Sequence, residues 1–323
     1  MGRAGCIALL IAAIIGVAAL LSIAIFWTGG GPLEEQRNVT ISDGATLTSA
    51  AEALEEEGVI ASSSQFPLFA KLLGSNDPIQ AGEFEIPARA SPADVLDILQ
   101  HATPVQRFVT IPEGTPSVIV HDRLMAAPYL TGEIPVPAEG SILADTYSYE
   151  RGEARSAVVA RMQAAMQAEL ARLWEARSEN TVVDTPEEAV ILASIVEKET
   201  AVPSERPLVA GVYSNRLRRG MRLQADPTII YPITRGRPLG RRIRRSEIQD
   251  VNDYNTYAMA GLPAGPIANV GVTALEAVLD PAETDALYFV ADGEGGHAFA
   301  ETLEEHNRNV QRWYELRRRR GEM

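Results

Sequence analysis

From Cys6 to Trp27 the sequence reads CIALLIAAIIGVAALLSIAIFW, a run of 22 residues without a charge. At about 1.5 Å per residue such a run spans about 33 Å as a helix, enough to cross the hydrocarbon core of a bilayer. Residues 6–27 are therefore a transmembrane helix candidate, and everything after them must fold on one side of a membrane. Arg3 precedes the run, whereas Glu34 and Glu35 follow its Gly-rich exit. The positive-inside rule then places the N-terminal residues 1–5 in the cytoplasm and the bulk of the chain outside it. A cleaved signal peptide is the competing reading, but the run is longer than a usual signal core and no small-x-small cleavage site follows it.

The remainder of the 323 residues is long enough for two compact domains, and 46% hydrophobic residues suffice for real cores. The net charge of −14 argues against nucleic acid as a partner. The strongly basic run, Arg235 to Arg245 (RGRPLGRRIRR), has no interleaved aromatics that would stack on bases. It is open between a solvated loop and a patch for an anionic substrate such as carboxylated peptide stems. A single cysteine, Cys6, excludes an internal disulfide and a cysteine-based zinc cluster.

After a Gly/Pro/Glu/Gln linker at 28–37, residues 38–104 have a grammar of their own. NVTI and GEFEIP are predicted strands, and TLTSAAEALEEEGVI, SQFPLFAKLLG and SPADVLDILQHA predicted helices. The stretch from Ile41 to Leu54 resembles the opening of a LysM-like glycan-binding module. A second unit, 105–323, begins with the strand-like VQRFVTIPEG and carries predicted helices near 154–178, 186–199 and 205–219. LYFVAD and HAFAE, joined by Gly293-Glu-Gly-Gly, predict a hairpin. The expected class is α+β: one N-terminal transmembrane helix, a small α+β module and a larger α+β catalytic domain.

Thr185-Pro-Glu-Glu188 has the form of a capping box, so the helix that ends in Ile191-Leu-Ala-Ser-Ile-Val-Glu-Lys-Glu-Thr200 has a defined start. At about 100° per residue, Ile191, Leu192, Ile195 and Val196 form an apolar stripe, and Glu199 falls on its axis. Glu197 falls about 160° away, over Ser194, Ala193 and Val190. A carboxyl held against apolar side chains resists ionisation and can remain protonated near neutral pH, as a general acid requires. The alternative is that the helix frays before Pro203 and Glu199 merely reaches solvent.

The strings Ala193 to Thr200 with Ser204-Glu-Arg206, Asn215-Arg-Leu, Met221-Arg-Leu-Gln-Ala-Asp-Pro-Thr228, Tyr254-Asn-Thr-Tyr257, Gly261-Leu-Pro263 and Tyr288 to Phe299 together resemble the MltG/YceG-like endolytic murein transglycosylase family. The likeness runs from about residue 38 to 315. It implies a bacterial inner-membrane lyase with no cofactor and no metal, cleaving the MurNAc–GlcNAc β-1,4 bond of nascent glycan strands and leaving a 1,6-anhydromuramoyl end. It implies Glu199 as the catalytic residue, peptidoglycan as substrate, and peptidoglycan synthases as candidate partners. One departure is Ala225, where a serine or threonine is expected.

Gln224, Asp226, Thr228, Tyr254, Asn255 and Tyr257 offer amides, hydroxyls and rings suited to sugars, and each is equally suited to hydrogen bonding in a core. His297 and His306 match no zinc pattern, and Ser194 lacks a nucleophile elbow. Two rivals remain: a hydrolytic muramidase, which needs a second carboxylate with Asp226 the candidate, and a non-catalytic glycan-binding scaffold.

Overall fold

The computed structural model describes residues 3–322. The chain divides into two compact units, residues 1–107 and 108–323, and is α+β throughout.

The first unit opens with helix α1, Arg3–Thr28. The apolar stretch Leu10–Thr28 is long enough to cross a membrane, with mean hydropathy 2.7 and its side chains outward. Its last turn behaves differently. Trp27 is buried against Phe66, ring centroids 6.1 Å apart, and Phe26 lies 5.0 Å from Phe69. The stretch read as a linker is packed as well, since Leu33 is buried and its carbonyl accepts from Arg89 N at 2.8 Å. Strand β1, Arg37–Ile41, pairs antiparallel with β2, Gly82–Ile86, in a register that sets Val39 opposite Phe84. Between and after them lie α2, Leu47–Glu56, α3, Gln65–Leu73, and α4, Pro92–His101. Thr46 and Ser91 cap α2 and α4, and the sheet and helices enclose Leu54, Phe66, Phe84, Ile86, Val95 and Leu99.

The second unit takes up the end of β3, Arg107–Thr110, which pairs with β4, Thr146–Tyr149. Helices α5, Ser117–Ala126, and α6, Arg155–Glu175, follow β3 and β4 respectively. At the centre is α7, Pro186–Glu199, packed against α6, α8 (Arg206–Arg218), α9 (Pro227–Thr234) and α11 (Val272–Leu279); the short α10 covers Arg245–Ile248. The hairpin β5, Tyr288–Ala291, and β6, His297–Ala300, sets Phe289 opposite Phe299. Helix α12, Leu303–Arg319, packs on this hairpin. The central core joins Leu192, Ile195, Val196, Val209, Tyr213, Leu275 and Val278.

Two local expectations require correction. Thr185 does cap α7, accepting from Glu188 N at 3.2 Å, but Glu188 reaches back to Asp184 N at 2.8 Å and not to Thr185 N, so the reciprocal box is open. Helix α11 is an element the sequence reading lacks: VTALEAVL is only eight residues long, with five of them buried and Thr273 and Glu276 alone exposed, too few polar positions to mark a helical period.

Candidate active site

The last turn of α7 delivers two carboxylates into two different environments. Glu197 faces α8 and α11. Arg206, at the start of α8, donates to Glu197 Oε1 at 2.6 Å and to Glu113 Oε2 at 2.6 Å, and also bonds Thr273 Oγ1. Gly271 N donates to Glu197 Oε2 at 3.3 Å. The Glu197 side chain is 2% exposed, so this is a buried ion pair. Burial pushes the Glu197 carboxyl up, and the Arg206 charge, next in size, pulls it back. Gly271 permits the close approach, since a Cβ there would lie 2.0 Å from Glu113 Oε1.

Glu199 ends the helix on the other side, after which Thr200 is extended (φ −131°, ψ 131°). Its Oε1 is buried and has no hydrogen-bond partner. Burial is the largest influence on this carboxyl and raises its pKa from 4.5 to about 7, with the Asp226 charge adding to the rise. The Tyr213 hydroxyl and the Arg216 guanidinium oppose it by favouring the carboxylate. Two sets of neighbours thus act on one group in opposite directions, leaving it able to hold or release a proton near neutrality.

Tyr213 and Arg216 are three residues apart on one face of α8. Tyr213 is buried, and its phenol is raised well above 10 first by burial and then by Glu199. Arg216 is buried without a carboxylate in ion-pair contact among the described residues. Its Nε donates to Leu287 O at 2.7 Å, its Nη1 to Leu223 O at 2.8 Å and Gln224 Oε1 at 3.4 Å, and its guanidinium lies 5.2 Å from the Tyr288 ring centre. Gln224 adopts φ 55°, a left-handed conformation rare for a side chain of its kind, as the loop turns around this guanidinium.

The residues proposed from sequence separate into two groups. Asp226 accepts from the Tyr257 hydroxyl at 2.6 Å, and both act electrostatically with Glu199, so these two join it in one site. Burial, then the bond to Asp226, raises the Tyr257 phenol strongly. Gln224 stands at the rim of the Arg216 clamp. Thr228 and Asn255 are wholly buried and their bonding capacity is used internally. Thr228 Oγ1 bonds Ala225 O and Thr256 Oγ1 at 2.7 and 2.9 Å, while Asn255 Nδ2 reaches the carbonyls of Glu247, Ile248 and Asp250 at 3.2, 3.1 and 2.6 Å. They shape the loops that carry Asp226 and Tyr257. The Tyr254 ring lies 5.0 Å from Tyr231. Ala225 is buried too, so a hydroxyl at that position would enter the core.

Sequence reading assigned no role to Tyr213, Arg216 or Glu205. Glu205 accepts from His297 N at 2.8 Å, lies 2.8 Å from His297 Nδ1, and accepts from Thr200 Oγ1 at 3.1 Å, tying the end of α7 to the β5–β6 hairpin. His306 stacks on Tyr288, ring centres 5.2 Å apart. Arg216 lies inside the Asn215-Arg-Leu string, and Tyr213 stands three residues before it on the same helix face.

Residues 39–312 match the YceG-like family, and the chain belongs to it. It is 29% identical over 322 aligned residues to an endolytic murein transglycosylase of Streptococcus pneumoniae strain D39, covering 84% of this chain and 57% of that one. A Bacillus subtilis endolytic murein transglycosylase is 38% identical over 122 residues, 38% of this chain and 33% of that one. The chain thus spans little more than half the length of the pneumococcal relative. The crystal structure of a YceG-like protein from Listeria monocytogenes is similar with a TM-score of 0.52 and 26% identity, covering 85% of this chain and 99% of that one.

Proposed function

We propose that this chain is an endolytic lytic transglycosylase of peptidoglycan, held in the inner membrane by α1 with its N-terminus cytoplasmic and its catalytic unit outside. The observation that carries the reading is the Glu199 carboxyl, one oxygen buried without a partner and the group poised at about 7, beside Asp226 and Tyr257. A single carboxyl that exchanges its proton twice suits this reaction. Neutral Glu199 donates its proton to the departing GlcNAc O4 as the MurNAc C1–O4 bond breaks. The resulting carboxylate takes the proton of the same MurNAc's C6 hydroxyl as O6 bonds to C1, which closes the 1,6-anhydro ring and restores neutral Glu199.

The nucleophile is part of the substrate, so no water is consumed and orientation of the sugar supplies what a second catalytic carboxylate supplies elsewhere. Tyr213 and Arg216 support the carboxylate form of Glu199 between the two transfers. The Asp226 charge, oriented by Tyr257, suits the positive charge that develops at the anomeric carbon. We read residues 38–104 as a LysM-like glycan-binding module and 105–323 as the catalytic domain.

Mass spectrometry of products from purified glycan strands tests the reading. Anhydro ends support it, reducing ends assign a hydrolytic muramidase with Asp226 as second carboxylate, and intact strands assign a binding scaffold.

A further inference from the structure

Between Asp226 and Tyr257 the chain makes an excursion that leaves the candidate site and returns to it. Its base is tied: Gln224 N donates to Thr256 O at 3.2 Å, Arg222 Nη1 to Tyr257 O at 2.9 Å, and Tyr257 to Asp226. Asn255 fastens the returning limb through the carbonyls of Glu247, Ile248 and Asp250. The middle is pinned to α5, where Arg237 pairs with Asp122 at 2.7 Å. The excursion is a held element that rises from the site itself.

It carries six exposed arginines, at 235, 237, 241, 242, 244 and 245, and no carboxylate between the first and the last, in a chain of net charge −14. Two are neutralised internally, Arg237 by Asp122 and Arg241 by Glu247. Glu247 also attracts Arg244 without an ion-pair contact. Arg235, at the end of α9, bonds the Tyr231 hydroxyl, which leaves Arg242, Arg244 and Arg245 exposed with no carboxylate in ion-pair contact among the described residues. Ion pairing accounts for Arg237 and Arg241 alone.

We propose that Arg242, Arg244 and Arg245 form a subsite for the carboxylates of the peptide stems borne by the glycan strand. The inference rests on the peptidoglycan reading above and adds to it the part of the substrate read outside the sugar. Each MurNAc carries its stem on the lactyl group, so a MurNAc placed at Glu199 projects a carboxylate-bearing peptide from the site from which this excursion springs. The guanidinium fork matches a carboxylate in two parallel hydrogen bonds, which an ammonium cannot reproduce. Such contacts at an exposed rim act on capture more than on chemistry.

The test uses the full chain in detergent with fluorescent glycan strands in two forms, with stems and with stems removed by an amidase. Binding is measured on the Glu199→Gln protein, with and without R242Q/R244Q/R245Q. The triple substitution should weaken binding of stem-bearing strands by about 5- to 50-fold, leave stem-free strands unchanged, and lose its effect in high salt. Lysine at the three positions should recover part of the loss. Equal weakening on both strand forms, or none on either, overturns the proposal. A loss that follows the lipid diphosphate at the strand end, and not the stems, overturns it in favour of that anion. Cleavage of either strand form by the unsubstituted chain is scored separately: failure there sinks the transglycosylase reading, while the binding comparison still decides the arginines.

Discussion

The Arg206 guanidinium grips Glu197 at 2.6 Å, two residues before Glu199 presents a buried oxygen with no partner at all. One helix turn thus holds a fixed charge pair on one side and an adjustable proton on the other. The pair, together with Glu113 and Gly271, ties the end of α7 to α8 and α11, so the turn that carries Glu199 is fixed by the ion pair beside it.

Replacing Glu199 with Gln keeps the shape of the side chain and removes its proton cycle. Release of anhydro-ended fragments should fall by about 10²- to 10⁴-fold, with the circular dichroism spectrum unchanged. Cleavage near the unsubstituted level would remove Glu199 from the mechanism.

The same substitution should alter stability in a pH-dependent way. The unfolded Glu199 ionises near 4.5 and the folded one at about 7. Between those values the folded state holds a proton that the unfolded state has lost, so stability falls as pH rises through that window and stays lower above it. Glu199→Gln should therefore raise stability at pH 8 by up to about 3 kcal/mol and leave it unchanged below pH 4. Denaturant titration at the two pH values checks this, and equal effects at both would contradict the poised carboxyl.

Activity should follow the acid form of the same group. The leaving oxygen needs a proton from neutral Glu199, so kcat/KM on the alkaline side should decline with an apparent pKa of about 7 in the free enzyme. A plateau extending to pH 9 would show that another group supplies the proton.

Glu197→Gln should act through folding. Loss of one partner of a buried pair costs about 3 kcal/mol, at the low end of its range because Glu113 still faces Arg206. The thermal transition of the second unit should drop, and activity measured well below that transition should be largely kept. A stable protein without activity would assign Glu197 to the chemistry.

For orientation, a reporter that works only outside the cytoplasm should be active when fused after Met323, and a cytoplasm-only reporter inactive. The reverse pattern would invert the anchor.

The features legible in the sequence are those with local causes. An apolar run of membrane length, Thr185 before Pro186 at the start of α7, and the end of that helix at residue 199 follow from rules that operate within a few residues. The same holds for the divergence of Glu197 and Glu199 around the helix. Tertiary packing decided what each of them meets. Tyr213, Arg216, Asp226 and Tyr257 reach Glu199 only because α8 and two distant loops close around the end of α7, and Arg206 reaches Glu197 only because α8 begins there. Thr228 and Asn255 carry a hydroxyl and an amide suited to bonding sugars, yet the packing turns both inward, where each bonds to the protein itself. Periodicity ranks the faces of a helix, and the three-dimensional arrangement alone determines which charges and hydroxyls those faces confront, because electrostatic influence depends on distance through space and not along the chain.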